Sequence, residues 1–318
     1  MKEADRIIGR YRGRRHGDLV IAFGAMHGNE PAGVRALEMV FHMLNVEPNQ
    51  NPSFDFIGQL IGIKANKRAE EQAKRYLSKD LNRQWTQENV ERVTNSAIDD
   101  LKDEDLELRE LIDLINKEIK DYQPKRLVVL DLHTTTADGI FSIATDDPES
   151  IKIAKAMHAP VITGMLSGLK GTTLHYFNTS NFSCPTIAIT FEAGQHNDPL
   201  STRRAIAATI NLLRSVGCVR PEDVENKHDN LLINYSKELP KVATLLNVHS
   251  IQPEDNFRML PGYKNFQPIQ EGQLLAYDQS GPILASTDAS ILMPLYQQQG
   301  EDGFFLVKVL EPSVLGSK

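Results

Sequence analysis

His27, Gly28, Asn29 and Glu30 follow directly on an apolar run at 19–24, Leu-Val-Ile-Ala-Phe-Gly. An imidazole and a carboxylate three residues apart can share a metal ion. Neutral imidazole nitrogen and carboxylate oxygen both ligate Zn²⁺, and a catalytic zinc takes three protein ligands and leaves a fourth position for water. The spacing alone is weak. With 9 His and 42 acidic residues in 318, about one His-x-x-acidic match arises by chance. Its setting says more. The apolar run reads as a buried strand and 31–44 as a helix, with Pro31 tolerated in the first turn. Gly28 permits a tight turn between them. Both side chains then arrive at the C-terminal end of a strand, where open α/β sheets place their ligand crevices. Read locally, the same residues also fit a surface loop in which Glu30 complements the helix N-terminus.

The third ligand candidate is His133, which ends the run Arg-Leu-Val-Val-Leu-Asp-Leu-His at 126–133 and precedes three threonines. Asp131 on the same strand is placed to orient a ligating imidazole. A lone His is more often a hydrogen-bonded core or surface residue, but two strands ending in His, one with Glu at +3, point to a His27-Glu30-His133 zinc site. Hydrolysis at zinc also needs a carboxylate base that is not itself a ligand. The segment 185–194 supplies it, an apolar strand ending in Glu192, Ala193 and Gly194. The plainer reading of Glu192 is a carboxylate salt-bridged at a strand end.

The stretch 64–83 follows a strand at 54–63 and is rich in basic residues. Lys67, Lys74 and Lys79 read as a solvated face. Asn82 and Arg83 beside Asp80 differ, because a guanidinium presents a planar fork suited to a carboxylate and an amide adds a neutral donor. Arg75 could reach a developing oxyanion from the same loop.

Taken together, His27-Gly-Asn-Glu30, Arg75-Tyr with Asp80-Leu-Asn82-Arg83, Asp131-Leu-His133-Thr and Phe191-Glu192-Ala-Gly194 resemble the succinylglutamate desuccinylase/aspartoacylase family of zinc carboxypeptidase-like metallohydrolases. The four motifs occur in the family's order over about residues 20–215. The resemblance implies zinc on His27, Glu30 and His133, a water activated by Glu192, a scissile carbonyl polarised by Arg75, and Asn82 and Arg83 on the α-carboxylate of an N-acyl amino acid. Aspartoacylases carry a further arginine about ten residues before the base glutamate, on the substrate side-chain carboxylate. Here 175–182 reads His-Tyr-Phe-Asn-Thr-Ser-Asn-Phe, without arginine, so no strong preference for acyl-aspartate is expected.

Composition describes a globular chain, 41% hydrophobic and 24% charged with formal net charge −7. The N-terminal arginines suggest a nucleic-acid arm, but the net charge and the lack of an aromatic-interleaved basic patch argue against nucleic-acid binding. No stretch approaches a membrane span and residues 1–16 lack the apolar core of a signal peptide. Cys184 and Cys218 have no CxxC partners and make no disulfide framework, so a cytoplasmic location is expected. Cys184 reads as packing, since nothing adjacent would activate it as a nucleophile.

Alternating strands and helices over 1–220 predict an α/β domain with a mixed, mostly parallel sheet flanked by helices. Leu108, Leu111, Ile112, Ile115 and Ile119 fall at helical spacing and predict one buried face. The acidic stretch 99–105 reads as a helix start on solvated surface, and 201–216 as the last helix, with Gly217 past its end. From 221 onward come a polar connection and then short apolar segments at 244–248, 272–277, 282–285, 290–296 and 304–309, a small all-β domain with turns at Gly281, Gly300 and Gly303. It is similar to the barrel-like C-terminal domain of the same family, itself reminiscent of biotinyl and lipoyl carriers. Pro294 after Met293 removes the lysine a swinging arm would need. Walling the active site, restricting access, and forming a homo-oligomer all remain open for it.

The function expected is zinc-dependent hydrolysis of the amide of a small N-acyl amino acid. A carboxypeptidase on short peptides is the second reading, and a non-catalytic metal-binding or regulatory protein of the same fold the third. A pure binder has no need of Glu192.

Overall fold

The computed structural model describes residues 6–310. Its central sheet has eleven strands. In chain order these are β1 (Ile7–Arg12), β2 (Arg15–Gly24), β3 (Ile57–Lys64), β4 (Leu127–Thr135), β5 (Phe141–Ala144), β6 (Val161–Thr163), β7 (Thr186–Gln195), β8 (Val242–Ser250), β10 (Gln267–Ile269), β13 (Ala289–Leu292) and β14 (Asp302–Val309). Across the sheet they lie in the order β1-β3-β2-β4-β7-β5-β6-β8-β14-β13-β10. The heart of the sheet is parallel, β3 to β2 to β4 to β7. β5 runs antiparallel to β7, and β14, β13 and β10 continue beyond β8 as antiparallel strands. Three short strands, β9 (Arg258–Met259), β11 (Leu274–Asp278) and β12 (Gly281–Leu284), make a second antiparallel sheet.

Alternation along β2 builds two cores. Leu19, Ile21 and Phe23 point to one face, where Leu108, Leu111, Ile112 and Ile115 of α4 (Asp103–Tyr122) meet them. Val20 and Ala22 point to the other, against α1 (Ala32–Gln50) and α8 (Leu200–Ser215). Each large apolar side chain removed from water is worth roughly 1.5–3 kcal/mol, so the apolar stretch 19–24 of β2 is held firmly in register in the middle of the sheet. The remaining helices are α2 (Lys67–Glu71), α3 (Gln87–Asn95), α5 (Pro148–Ala156), α6 (Met165–Gly168), α7 (Thr173–Tyr176) and α9 (Lys227–Ser236). A third, smaller core of Ile269, Leu275, Ile291, Phe304 and Leu306 packs the second sheet onto the end of the first.

Three features depart from the sequence reading. The arginine-rich N-terminus forms an edge strand, β1, and its charges are matched by α4: Arg6 pairs with Glu107 and Glu110, and Arg10 with Glu118. The acidic start of α4 is not simply solvated, because Glu104 is fully buried. Helix α1 also runs past Leu44 to Gln50 with Pro48 inside its last turn.

Candidate active site

Three parallel strands deliver the chemistry to one edge. His27 and Glu30 sit in the turn after β2. In the β4–β7 register His133 lies opposite Glu192, and Asp131 opposite Thr190. Side chains at alternate positions share a face, so His133, Asp131 and Glu192 emerge on the same side. Gly28 is required by space: a Cβ there would lie 2.2 Å from the carbonyl carbon of Ala69. The loop after β3 is therefore pressed against the His27–Glu30 turn, and the Gly28 amide donates to the Arg75 carbonyl at 3.1 Å.

Glu30 is the hub. It is 2% exposed; one carboxylate oxygen lies 2.8 Å from His27 Nδ1 and the other 3.1 Å from His133 Nδ1. That second oxygen also accepts the Thr134 amide at 2.9 Å. The surface-loop reading of Glu30 does not hold. Against burial, which would raise it, the two imidazoles hold the Glu30 carboxyl well below its usual range. One ligand atom from each of His27, Glu30 and His133 lies within 4.8 Å of the others, a group that could hold a metal ion. The far sides of both rings are occupied by carboxylates, His27 Nε2 lying 3.1 Å from Asp80 and His133 Nε2 3.1 Å from Asp131. Carboxylates in that position fix the tautomer that leaves Nδ1 as the lone-pair donor and raise its basicity. Buried, oriented nitrogen and oxygen donors of this kind match what zinc prefers.

Glu192 is 6% exposed and its Oε2 has no hydrogen-bond partner. Burial, with the charges of Glu30 and Asp131 adding and those of His133 and Arg75 opposing, pushes its carboxyl up to about 8. A buried, unpartnered carboxylate is costly to keep, and it opens onto the same cleft as the His-Glu-His group. That cleft encloses roughly 840 Å³ out to solvent and is also lined by Arg75, Asn82, Arg83 and Phe305.

The loop residues arrive as expected but already hold protein partners. Arg75 gives its Nε and Nη2 to Asp80 Oδ2 at 3.2 and 2.9 Å, leaving Nη1 3.6 Å from Glu30. The Asn82 amide nitrogen lies 3.4 Å from His133 Nε2, and its oxygen accepts the Thr173 amide. Arg83 donates through Nη2 to Asp302 at the head of β14 and through Nη1 to the Asn82 carbonyl.

Sequence reasoning missed three residues here. Glu104 of α4 accepts the backbone amides of Leu77, Ser78 and Lys79 and the Asn66 amide group, at 2.7 to 3.2 Å, and so pins the loop that carries Arg75 and Asp80. Asp302 comes from the far end of the chain. His196, just past β7, lines the cleft and lies 2.7 Å through Nδ1 from the Thr134 hydroxyl. The C-terminal segment also walls the site, since Met293, Leu295 and Gln297 between β13 and β14, and Phe305 of β14, line the cleft.

The protein is thus a mixed α/β chain with a His-Glu-His group and an unpartnered glutamate at the C-terminal edge of its parallel strands. The sequence model of the succinylglutamate desuccinylase/aspartoacylase catalytic domain matches residues 16–216, and the chain belongs to that family of deacylases. A probable aspartoacylase of Nostoc sp. (strain PCC 7120) is 32% identical over 136 residues, which span 42% of this chain and 42% of that relative. The product-bound ectoine utilization protein EutE (DoeB) of Ruegeria pomeroyi has the same fold, with a TM-score of 0.64 at 16% identity over 94% of this chain and 87% of its own. Murine aminoacylase 3 superposes with a TM-score of 0.62 at 17% identity, covering 93% and 96% of the two chains. For the succinylglutamate desuccinylase of Chromobacterium violaceum the values are 0.60, 18%, 94% and 86%.

Proposed function

We propose that the protein is a zinc-dependent hydrolase that cleaves the amide bond of a small N-acyl amino acid, releasing a carboxylate and a free amino acid. The observation that carries this reading is the convergence, in one cleft, of the buried His27-Glu30-His133 group with a carboxylate, Glu192, that no protein donor satisfies. Zinc held by His27, Glu30 and His133 would lower the pKa of water toward about 7 and polarise the scissile carbonyl.

The chain's own residues supply the rest. Glu192 takes a proton from the attacking water as its oxygen bonds to the carbonyl carbon. It then returns that proton to the nitrogen as the C–N bond breaks. Arg75 is clamped by Asp80 on two of its nitrogens, so Nη1 is held rigidly where negative charge develops on the carbonyl oxygen. Arg83 and Asn82 hold the substrate α-carboxylate, Arg83 through the N–H groups not given to Asp302 and the Asn82 carbonyl. Asp80 and Asp131, each 3.1 Å from an imidazole Nε2, would keep the two rings oriented to hold the ion.

The test is amine release from a panel of N-acyl amino acids and dipeptides. N-acyl amino acids should be hydrolysed and dipeptides should not. Turnover confined to dipeptides would make the protein a carboxypeptidase instead.

A further inference from the structure

Only two cationic side chains line the cleft among the described residues, Arg75 and Arg83, and both are matched by carboxylates. Arg83 pairs with Asp302, and Glu301 lies 3.9 Å from its Nε. Asp302 opens β14 and Glu301 precedes it, and both line the cleft together with Phe305. The Arg83 backbone also packs against the segment that carries part of the apolar wall: a Cβ on Gly171 would lie 2.2 Å from the Arg83 carbonyl oxygen. Leu169 and Leu174 flank that glycine, and Met165, Leu166 and Ile143 continue the lining.

A substrate whose α-carboxylate lies on Arg83 shares the cleft with these leucine and methionine side chains and with the two carboxylates beside Arg83. A second carboxylate there would meet no free cation, would be desolvated by the apolar wall, and would be repelled by Asp302 and Glu301. We infer that the substrate is an N-acyl derivative of an apolar amino acid with a single carboxylate, and that Asp302 and Glu301 act as specificity residues that reject dicarboxylates. The inference rests on the deacylase reading above for the reaction, and on the Arg83 surroundings alone for the choice of substrate.

The experiment compares N-acetyl-L-methionine with N-acetyl-L-aspartate on the zinc-loaded wild type and on the Glu301→Gln/Asp302→Asn variant. Wild type should favour the methionine derivative by about tenfold or more in kcat/KM, the scale on which a pocket discriminates side chains. The variant should narrow that ratio by about tenfold. A wild type that prefers N-acetylaspartate would overturn the inference, as would an unchanged ratio in a folded variant. Calorimetric binding of the free products to the wild type needs no turnover and no variant. Methionine should bind more tightly than aspartate, and the reverse order, or equal binding, overturns the inference by itself. Absence of hydrolysis with methionine still favoured in binding would count against the deacylase reading alone.

Discussion

Asp80 and His27 are 53 residues apart in sequence, yet Asp80 Oδ1 lies 3.1 Å from His27 Nε2 while its other oxygen clamps Arg75. One buried carboxylate thus orients both an imidazole of the His-Glu-His group and the guanidinium beside it. Burial would raise the Asp80 carboxyl, but Arg75 and His27 hold it well below the usual range. Replacing Asp80 with Asn keeps the shape and removes the charge. Zinc affinity should fall by about ten- to a hundredfold, the usual scale for carboxylates behind a metal-bound histidine. kcat should fall with it as Arg75 loses its clamp. Chelator competition and steady-state kinetics check both, and a variant unchanged in each would remove Asp80 from the site.

His27→Ala and His133→Ala should each abolish activity and most of the bound metal. The wild type should carry roughly one equivalent of zinc per chain. Metal content by elemental analysis decides this, and full loading in both variants would contradict the ligand set.

Glu192→Gln should retain its metal and lose about a hundredfold or more in kcat, the contribution expected of a general base. Loss of metal from this variant would instead make Glu192 a ligand.

Glu104 tests the loop's anchor through pH as well as stability. Burial opposes its ionisation, yet the amides of Leu77, Ser78 and Lys79 and the Asn66 side chain hold its carboxyl below the ordinary 4.5. A depressed folded-state pKa contributes stability above the unfolded value, and that stability is lost as pH falls through the folded one. Glu104→Gln should therefore cost roughly 1–3 kcal/mol at pH 7, since buried amides lose a charged acceptor, and the deficit should shrink below pH 4.5. Denaturant unfolding at several pH values reads it. A deficit independent of pH would show that the charge is not what pins the loop.

The residues legible in the sequence share one property. His27 follows an apolar strand, and His133 and Glu192 lie near the ends of two others, so a local pattern both places them and flags them. The α4 face was equally plain, because Leu108, Leu111, Ile112 and Ile115 repeat at helical spacing and all are buried. Glu104 gave no such signal: inside an acidic run it looks like any solvated residue, and only the loop folded over it makes it a buried acceptor. The Arg83–Asp302 pair spans 219 residues and depends on β14 being threaded into the main sheet beside β8, which no local pattern encodes. β1 is hidden by the arginines in and beside it, since Arg6 and Arg10 find their partners on α4 about a hundred residues later.

The central claim is that the His-Glu-His group makes this cleft a zinc hydrolase of N-acyl amino acids. It is tested most directly by titrating zinc into chelator-stripped protein while following amine release from N-acetyl-L-methionine. Activity should be absent at the start, rise linearly, and level off near one equivalent of zinc per chain, with Glu192→Gln inactive throughout. Full activity in the stripped protein, or no amine release from any N-acyl amino acid at saturating zinc, would contradict the account.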